Sequence, residues 1–101
     1  MIEHLNGKNF NNFIKSNDKV IVDFWAPWCG PCRALGPVFE EVSNEKTTLK
    51  FAKVNVDDSE ELALSFGIST IPTILLFEKG MLVDRTGGYM TKDSLLEFIG
   101  D

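Results

Sequence analysis

Val20-Ile21-Val22-Asp23-Phe24-Trp25 runs through Ala26-Pro27-Trp28 into Cys29-Gly30-Pro31-Cys32. The first six residues are β-branched or aromatic with one acid among them. A nearly continuous apolar run of this kind suits a strand covered on both faces. Beyond Cys29 the period changes. Leu35, Val38, Phe39 and Val42 recur at helical spacing, which predicts a helix from near Cys29 to about Asn44. The stretch therefore reads strand, short loop, helix, with two thiols at the helix start. Pro31 suits the first helical turn, where its missing N–H costs nothing. Pro37 lies inside the helix and predicts a kink, because it removes a backbone bond and crowds the preceding turn.

Working outward, Ile2 to Leu5 reads as a short first strand. Asn6 is placed as the cap of a helix over about 8–16, with Phe10, Phe13 and Ile14 on one face. Asn17-Asp18-Lys19 is a turn. Leu49 to Val56 reads as a strand, and Asp58-Ser59-Glu60-Glu61 as a helix start with Asp58 capping and Glu61 reaching back. That helix ends at Phe66, with Gly67 as a left-handed cap. Thr73 to Phe77 and Met81 to Arg85 form a hairpin across Glu78-Lys79-Gly80. Thr91 caps a last helix that buries Leu95, Leu96, Phe98 and Ile99. The order βαβαβαββα gives an α/β fold: parallel pairing early, an antiparallel hairpin late, and a mixed central sheet with helices on both faces. No linker or repeat divides the chain, so residues 1–101 are expected to form a single domain.

With 44% apolar and 25% charged residues, and eight Phe, the chain has enough apolar area to form a core. Fifteen acidic residues against ten basic ones give a net charge of -5. No basic stripe is present, so nucleic acid and anionic membranes are disfavoured as partners. Ile74-Leu75-Leu76-Phe77 is the longest apolar stretch and is far too short to span a bilayer. Met1 to Gly7 lacks the basic start and apolar run of a signal peptide. A cytoplasmic location is expected unless a leader was removed upstream.

Both cysteines of the chain sit in Cys29-Gly30-Pro31-Cys32. A loop this small constrains the unfolded chain little, so stapling is a weak reason for the pair. On a helix, positions i and i+3 lie roughly 5–6 Å apart at Cβ, and a disulfide wants roughly 3.8 Å. Slight tightening lets the pair open and close with little backbone motion. Unpaired amides and the helix dipole favour a thiolate at the helix start. Cys29 is therefore the attacker and Cys32 the resolver of a thiol–disulfide exchange. Gly30 keeps bulk away from the attacking sulfur. Two plainer readings compete. Half a zinc site would lack ligands, since only His4 remains to join the thiols. An inert buried pair fits poorly at a strand-to-helix junction.

Other residues carry two readings each. Asp23 is either a costly buried carboxylate beneath the dithiol, able to take the Cys32 proton, or an exposed acid at a strand end. Lys53 reads by default as a solvated edge lysine, and approaches Asp23 only if their strands are neighbours. Trp25 reads as core. Trp28 lies outside the strand and can form an apolar docking lip. The Ile71–Pro72 bond is trans by default; a cis bond would turn the Ile71 backbone outward to a bound peptide. Gly87-Gly88 is by default a turn or bulge.

Together these segments resemble the thioredoxin family over nearly the whole chain. Val22 to Cys32 looks like its active-site segment, and Pro37 stands at its helix proline. Phe51-Ala52-Lys53-Val54-Asn55-Val56-Asp57 is similar to its next strand, and Gly67-Ile68-Ser69-Thr70-Ile71-Pro72-Thr73 to its cis-proline segment. Gly80 and Gly87 fall at its later glycines. The resemblance implies a thioredoxin fold and protein-disulfide reductase activity with no cofactor beyond the Cys29–Cys32 couple and no metal. It implies catalytic roles for Cys29, Cys32 and Asp23, and redox tuning by Gly30, Pro31 and Lys53. It implies a substrate groove of Trp28, Ile71, a cis Pro72 and Gly87. Its implied partners are thioredoxin reductase and oxidised proteins such as ribonucleotide reductase and peroxiredoxins, met by a monomer. Arg33 stands where lysine is frequent, Gly36 where better helix formers are common, and Gly88-Tyr89-Met90 puts unusual bulk beside the groove. An oxidant or isomerase usually carries histidine between the cysteines, which Gly30-Pro31 argues against. The alternative of another class is a non-redox interaction module or subunit using the same fold.

Overall fold

In the computed structural model, which describes residues 1–100, five strands and four helices follow in the expected order. The strands are β1 (Ile2–Leu5), β2 (Lys19–Trp25), β3 (Lys50–Asn55), β4 (Thr73–Glu78) and β5 (Met81–Gly87). The helices are α1 (Phe10–Ser16), α2 (Gly30–Glu45), α3 (Glu60–Ser65) and α4 (Lys92–Ile99). The sheet order is β1-β3-β2-β4-β5. The β1, β3 and β2 strands run parallel, whereas β4 pairs antiparallel with both β2 and β5. Among the described residues, no helix is long and apolar enough to cross a membrane.

Side-chain alternation along the central strands divides the core in two. Val20, Val22 and Phe24 of β2 join Ala52, Val54, Leu75 and Phe77 against Phe10 and Ile14 of α1 and Ala63 of α3. Ile21, Phe51, Ile74 and Leu76 point the other way, to Leu35, Phe39 and Val42 of α2 and Leu95 and Ile99 of α4. Aromatic rings lock both layers: Phe10 meets Phe66 at 5.3 Å between centroids, and Phe39 meets Phe51 at 5.4 Å. Because α1 and α3 pack on one side of the sheet and α2 and α4 on the other, the continuous apolar run of β2 is covered on both faces, as its composition required.

Local chemistry departs from expectation at two helix starts. The Asn6 side chain accepts from the Lys8 and Asn9 amides at 2.8 and 3.3 Å. It caps the turn before α1, which begins later, at Phe10. Asp58 does not cap α3; Ser59 occupies that position and makes no side-chain cap bond. The chain is instead turned by Asn55, whose side chain accepts from the Asp57 amide at 2.9 Å and whose carbonyl accepts from Asp58 and Ser59 at 3.1 Å. Thr91 does cap α4, accepting from the Ser94 amide at 3.1 Å. The hairpin turns on Lys79 and Gly80, both with positive φ (52° and 80°), the pattern a tight two-residue loop needs. Met90 does not sit in the groove. It is buried against the α2/α4 side of the sheet, leaving Tyr89 as the exposed residue.

The end of α3 makes a defined demand on glycine. Gly67 has φ +64°, its amide donates to the Leu64 carbonyl at 3.0 Å, and the Ile68 amide donates to Ala63 at 3.0 Å. This double closure uses the left-handed residue. Gly67→Ala is expected to lower stability by about 1 kcal/mol, since Cβ disfavours that conformation. Urea denaturation checks this: the midpoint falls while the slope is unchanged.

Candidate active site

The site begins where β2 runs out. The Val56 amide donates to the Trp25 carbonyl at 2.9 Å, joining the ends of β2 and β3, and the Cys29 amide donates to Ala26 at 3.2 Å. Cys29 then takes the cap position of α2, with extended backbone. Gly30 and Pro31 fill the first helical positions, where neither a missing N–H nor a missing side chain harms the helix. Cys32 follows one turn later. The two cysteines form a disulfide, with Cα atoms 5.2 Å apart.

The Cys32 amide donates to the Cys29 sulfur at 3.2 Å. This N–H belongs to the unpaired first turn of α2, so negative charge at Cys29 meets both a donor and the positive end of the helix. Cys29 and Cys32 are 5% and 2% exposed, packed with Ala26 and flanked by Trp25, Val56 and Ile71.

Asp23 is the buried carboxylate of the two readings, fully enclosed in β2. It shares its face of the sheet with Ile21, which packs under α2, and Trp25, which packs on the dithiol; that places it beneath the first turns of α2. Neither of its oxygens has a hydrogen-bond partner among the described residues. Burial pushes its pKa up to about 7, against a smaller downward pull from Lys53. Lys53 is directly opposite Asp23 in the β2–β3 pairing and opposite His4 on its other side. The default of an edge lysine is thus corrected: β3 is interior to the sheet, and Lys53 is half-buried. Its ammonium rests 4.5 Å from the centroid of Trp25, a cation–π contact.

The remaining residues gather at the sulfur's outer side. The Ile71–Pro72 bond is cis, not the default trans. The Ile71 carbonyl stands 3.7 Å from the Cys29 sulfur. Pro72 is buried, and its carbonyl accepts from the Gly88 amide at 2.8 Å. Gly87 pairs with Thr73 behind this loop, and a Cβ there would meet the Pro72 carbonyl at an ordinary 3.6 Å. Conformation demands glycine at Gly88 instead, whose φ is +86°. Trp28 is 67% exposed beside the dithiol, and its indole donates to Asp57 at 3.0 and 3.3 Å. Sequence reading assigned Asp57 no role; the available signal was Asn55, a turn-former two residues before it. Among the described residues no group of three or more His, Cys, Asp or Glu is gathered to hold a metal.

The thioredoxin family profile matches residues 1–101. The chain belongs to the thioredoxin family. A thioredoxin of Mycoplasma pneumoniae is 45% identical over 92 residues, covering 91% of this chain and 90% of that one. The solved thioredoxin of Plasmodium falciparum superposes with a TM-score of 0.91 at 34% identity, covering 97% and 96% of the two chains. A chain solved in a study of thiol resolving in yeast mitochondrial 1-Cys peroxiredoxin via glutathione/thioredoxin systems gives a TM-score of 0.92 at 33% identity, covering 99% and 94%. As a thioredoxin the chain is a thiol–disulfide oxidoreductase, its couple is the Cys29–Cys32 disulfide, and its partners are in general a reductase and disulfide-bearing substrates. A non-redox module is not favoured.

Proposed function

We propose that this thioredoxin is a cytoplasmic, monomeric, single-domain protein-disulfide reductase in which Cys29 is the nucleophile. The carrying observation is the Cys32 amide aimed at the Cys29 sulfur from the start of α2. In the reduced protein the Cys29 thiolate attacks a substrate disulfide, forms a mixed disulfide and expels the first substrate thiolate. Asp23 takes the Cys32 proton. The Cys32 thiolate attacks the Cys29 sulfur, releases the second substrate thiolate and leaves Cys29–Cys32 oxidised. Two electrons pass to the substrate, and a thioredoxin reductase returns two to reset the couple. The protein is thereby an electron carrier in cell redox homeostasis.

Trp28, Ile71, Pro72 and Gly87 form the docking groove in this reading. Ile71 offers its carbonyl beside the reacting sulfur, and Trp28 offers an exposed apolar face. Gly30 and Pro31 hold the couple reducing, and Lys53 tunes Asp23 from the neighbouring strand. Candidate substrates are ribonucleotide reductase and peroxiredoxins; the yeast neighbour's peroxiredoxin context supports the second. The test is the midpoint potential against a glutathione buffer, read by fluorescence of Trp25 and Trp28. The expected value lies at the reducing end of the thiol–disulfide range, where thioredoxins are themselves the reference at roughly -270 mV. A value near the strongly oxidising end would overturn the reductase reading and move the role to disulfide formation.

A further inference from the structure

Trp28 is the largest exposed apolar side chain next to the dithiol, and burial does not hold it in place. An indole this free would sample several rotamers, and ordering it at each encounter would weaken binding. What fixes it is one side chain. Both oxygens of Asp57 lie within reach of the indole N–H, at 3.0 and 3.3 Å. Asp57 is rigidly placed in turn: its amide is held by the Asn55 side chain at 2.9 Å, and the adjacent Val56 amide is held by Trp25 at 2.9 Å. The loop carrying the nucleophile is thereby tied to the loop after β3 by one solvent-exposed indole–carboxylate contact.

From this we infer that Asp57 is a positioning residue for substrate docking. It orients Trp28 so that the ring's apolar face is ready for the backbone and side chains around a protein disulfide. Asp57 itself does not touch the reacting sulfurs. It acts through the indole N–H and not through its charge, so its effect belongs to protein substrates, which reach the lip, more than to small disulfides, which do not. The inference rests on the proposed reading of Trp28 as part of the groove.

The test is the rate constant of the reduced protein with insulin divided by that with glutathione disulfide. Asp57→Ala is expected to lower this ratio about fivefold, the size of one ordinary solvent-exposed hydrogen bond. Asp57→Asn, whose amide oxygen still accepts from the indole, keeps the ratio within about twofold of the parent. Trp28→Phe, which lacks the N–H, lowers it about as far as Asp57→Ala, and combining the two adds nothing further. If Asp57→Asn falls as far as Asp57→Ala, or if the losses multiply in the double variant, the inference is overturned while the groove stands. If Trp28→Ala leaves the ratio unchanged, the groove reading of Trp28 fails and takes the inference with it.

Discussion

Cys32→Ser is expected to stop the reaction half-way, leaving substrate joined to Cys29 as a mixed disulfide. Turnover falls on the order of 10³-fold or more, because a hydroxyl cannot replace the resolving thiolate. This order of events is the proposed one, with Cys29 attacking first. Cys29 caps the helix and receives the Cys32 amide, whereas Cys32 lies one turn deeper and is 2% exposed. The adduct is read by mass spectrometry after mixing with a disulfide substrate, and dithiothreitol releases it. Cys29→Ser abolishes turnover equally but accumulates no adduct. The opposite pattern, in which Cys29→Ser traps substrate and Cys32→Ser does not, would reverse the assignment of nucleophile and resolver.

Asp23→Ala is expected to raise stability and slow resolution at once. A carboxylate with pKa 3.8 when unfolded and about 7 in the fold keeps its proton longer in the native state. Below 3.8 both states are protonated and Asp23 imposes no ionisation cost. Between 3.8 and about 7 the unfolded chain sheds the proton while the native state retains it, so stability declines as pH rises. Above about 7 the full loss is in place, and a shift of this size corresponds to about 4 kcal/mol. Asp23→Ala removes that decline, and on the alkaline side its gain is reduced by the small cavity it leaves. Chemical denaturation across the pH range checks this: the parent's stability slopes downward through the window and the variant's does not. If both proteins give parallel curves, Asp23 is not the titrating group. The same substitution removes the base proposed for Cys32, so decay of the mixed disulfide is expected to slow by about 10²-fold near neutrality. Initial attack by Cys29, which does not use that base, slows far less.

Much of this site lies within one continuous stretch of chain. The run from Val20 to Cys32 joins a buried strand to a helix start with no intervening choice, so its local pattern alone places both thiols. Pro31 and the spacing of Leu35, Phe39 and Val42 fix the helix and its buried face for the same reason. Gly67, the hairpin at Lys79-Gly80 and the Thr91 cap were equally legible, since each rests on interactions within a few residues. Asn6 and Asp58 misled because Asn and Asp serve turns as readily as caps, and an adjacent residue decides which.

The sequence by itself determined the order of elements, the dithiol at the start of α2 and the apolar faces that make a two-sided core. These follow from period and local backbone chemistry, which act over a turn or a strand. Strand order was decided only in three dimensions. It set Lys53 opposite Asp23, moved it from a supposed edge into the sheet, and enclosed an acid whose burial was an even choice in one dimension. Likewise Ile71, some forty residues from Cys29 in the chain, reaches its sulfur only because β4 pairs with β2. Asp57 meets Trp28 only because β3 ends beside β2. A carboxylate's pKa, a carbonyl set beside a sulfur and a pinned indole depend on desolvation and contact between segments remote in sequence, and those are created only when the sheet assembles.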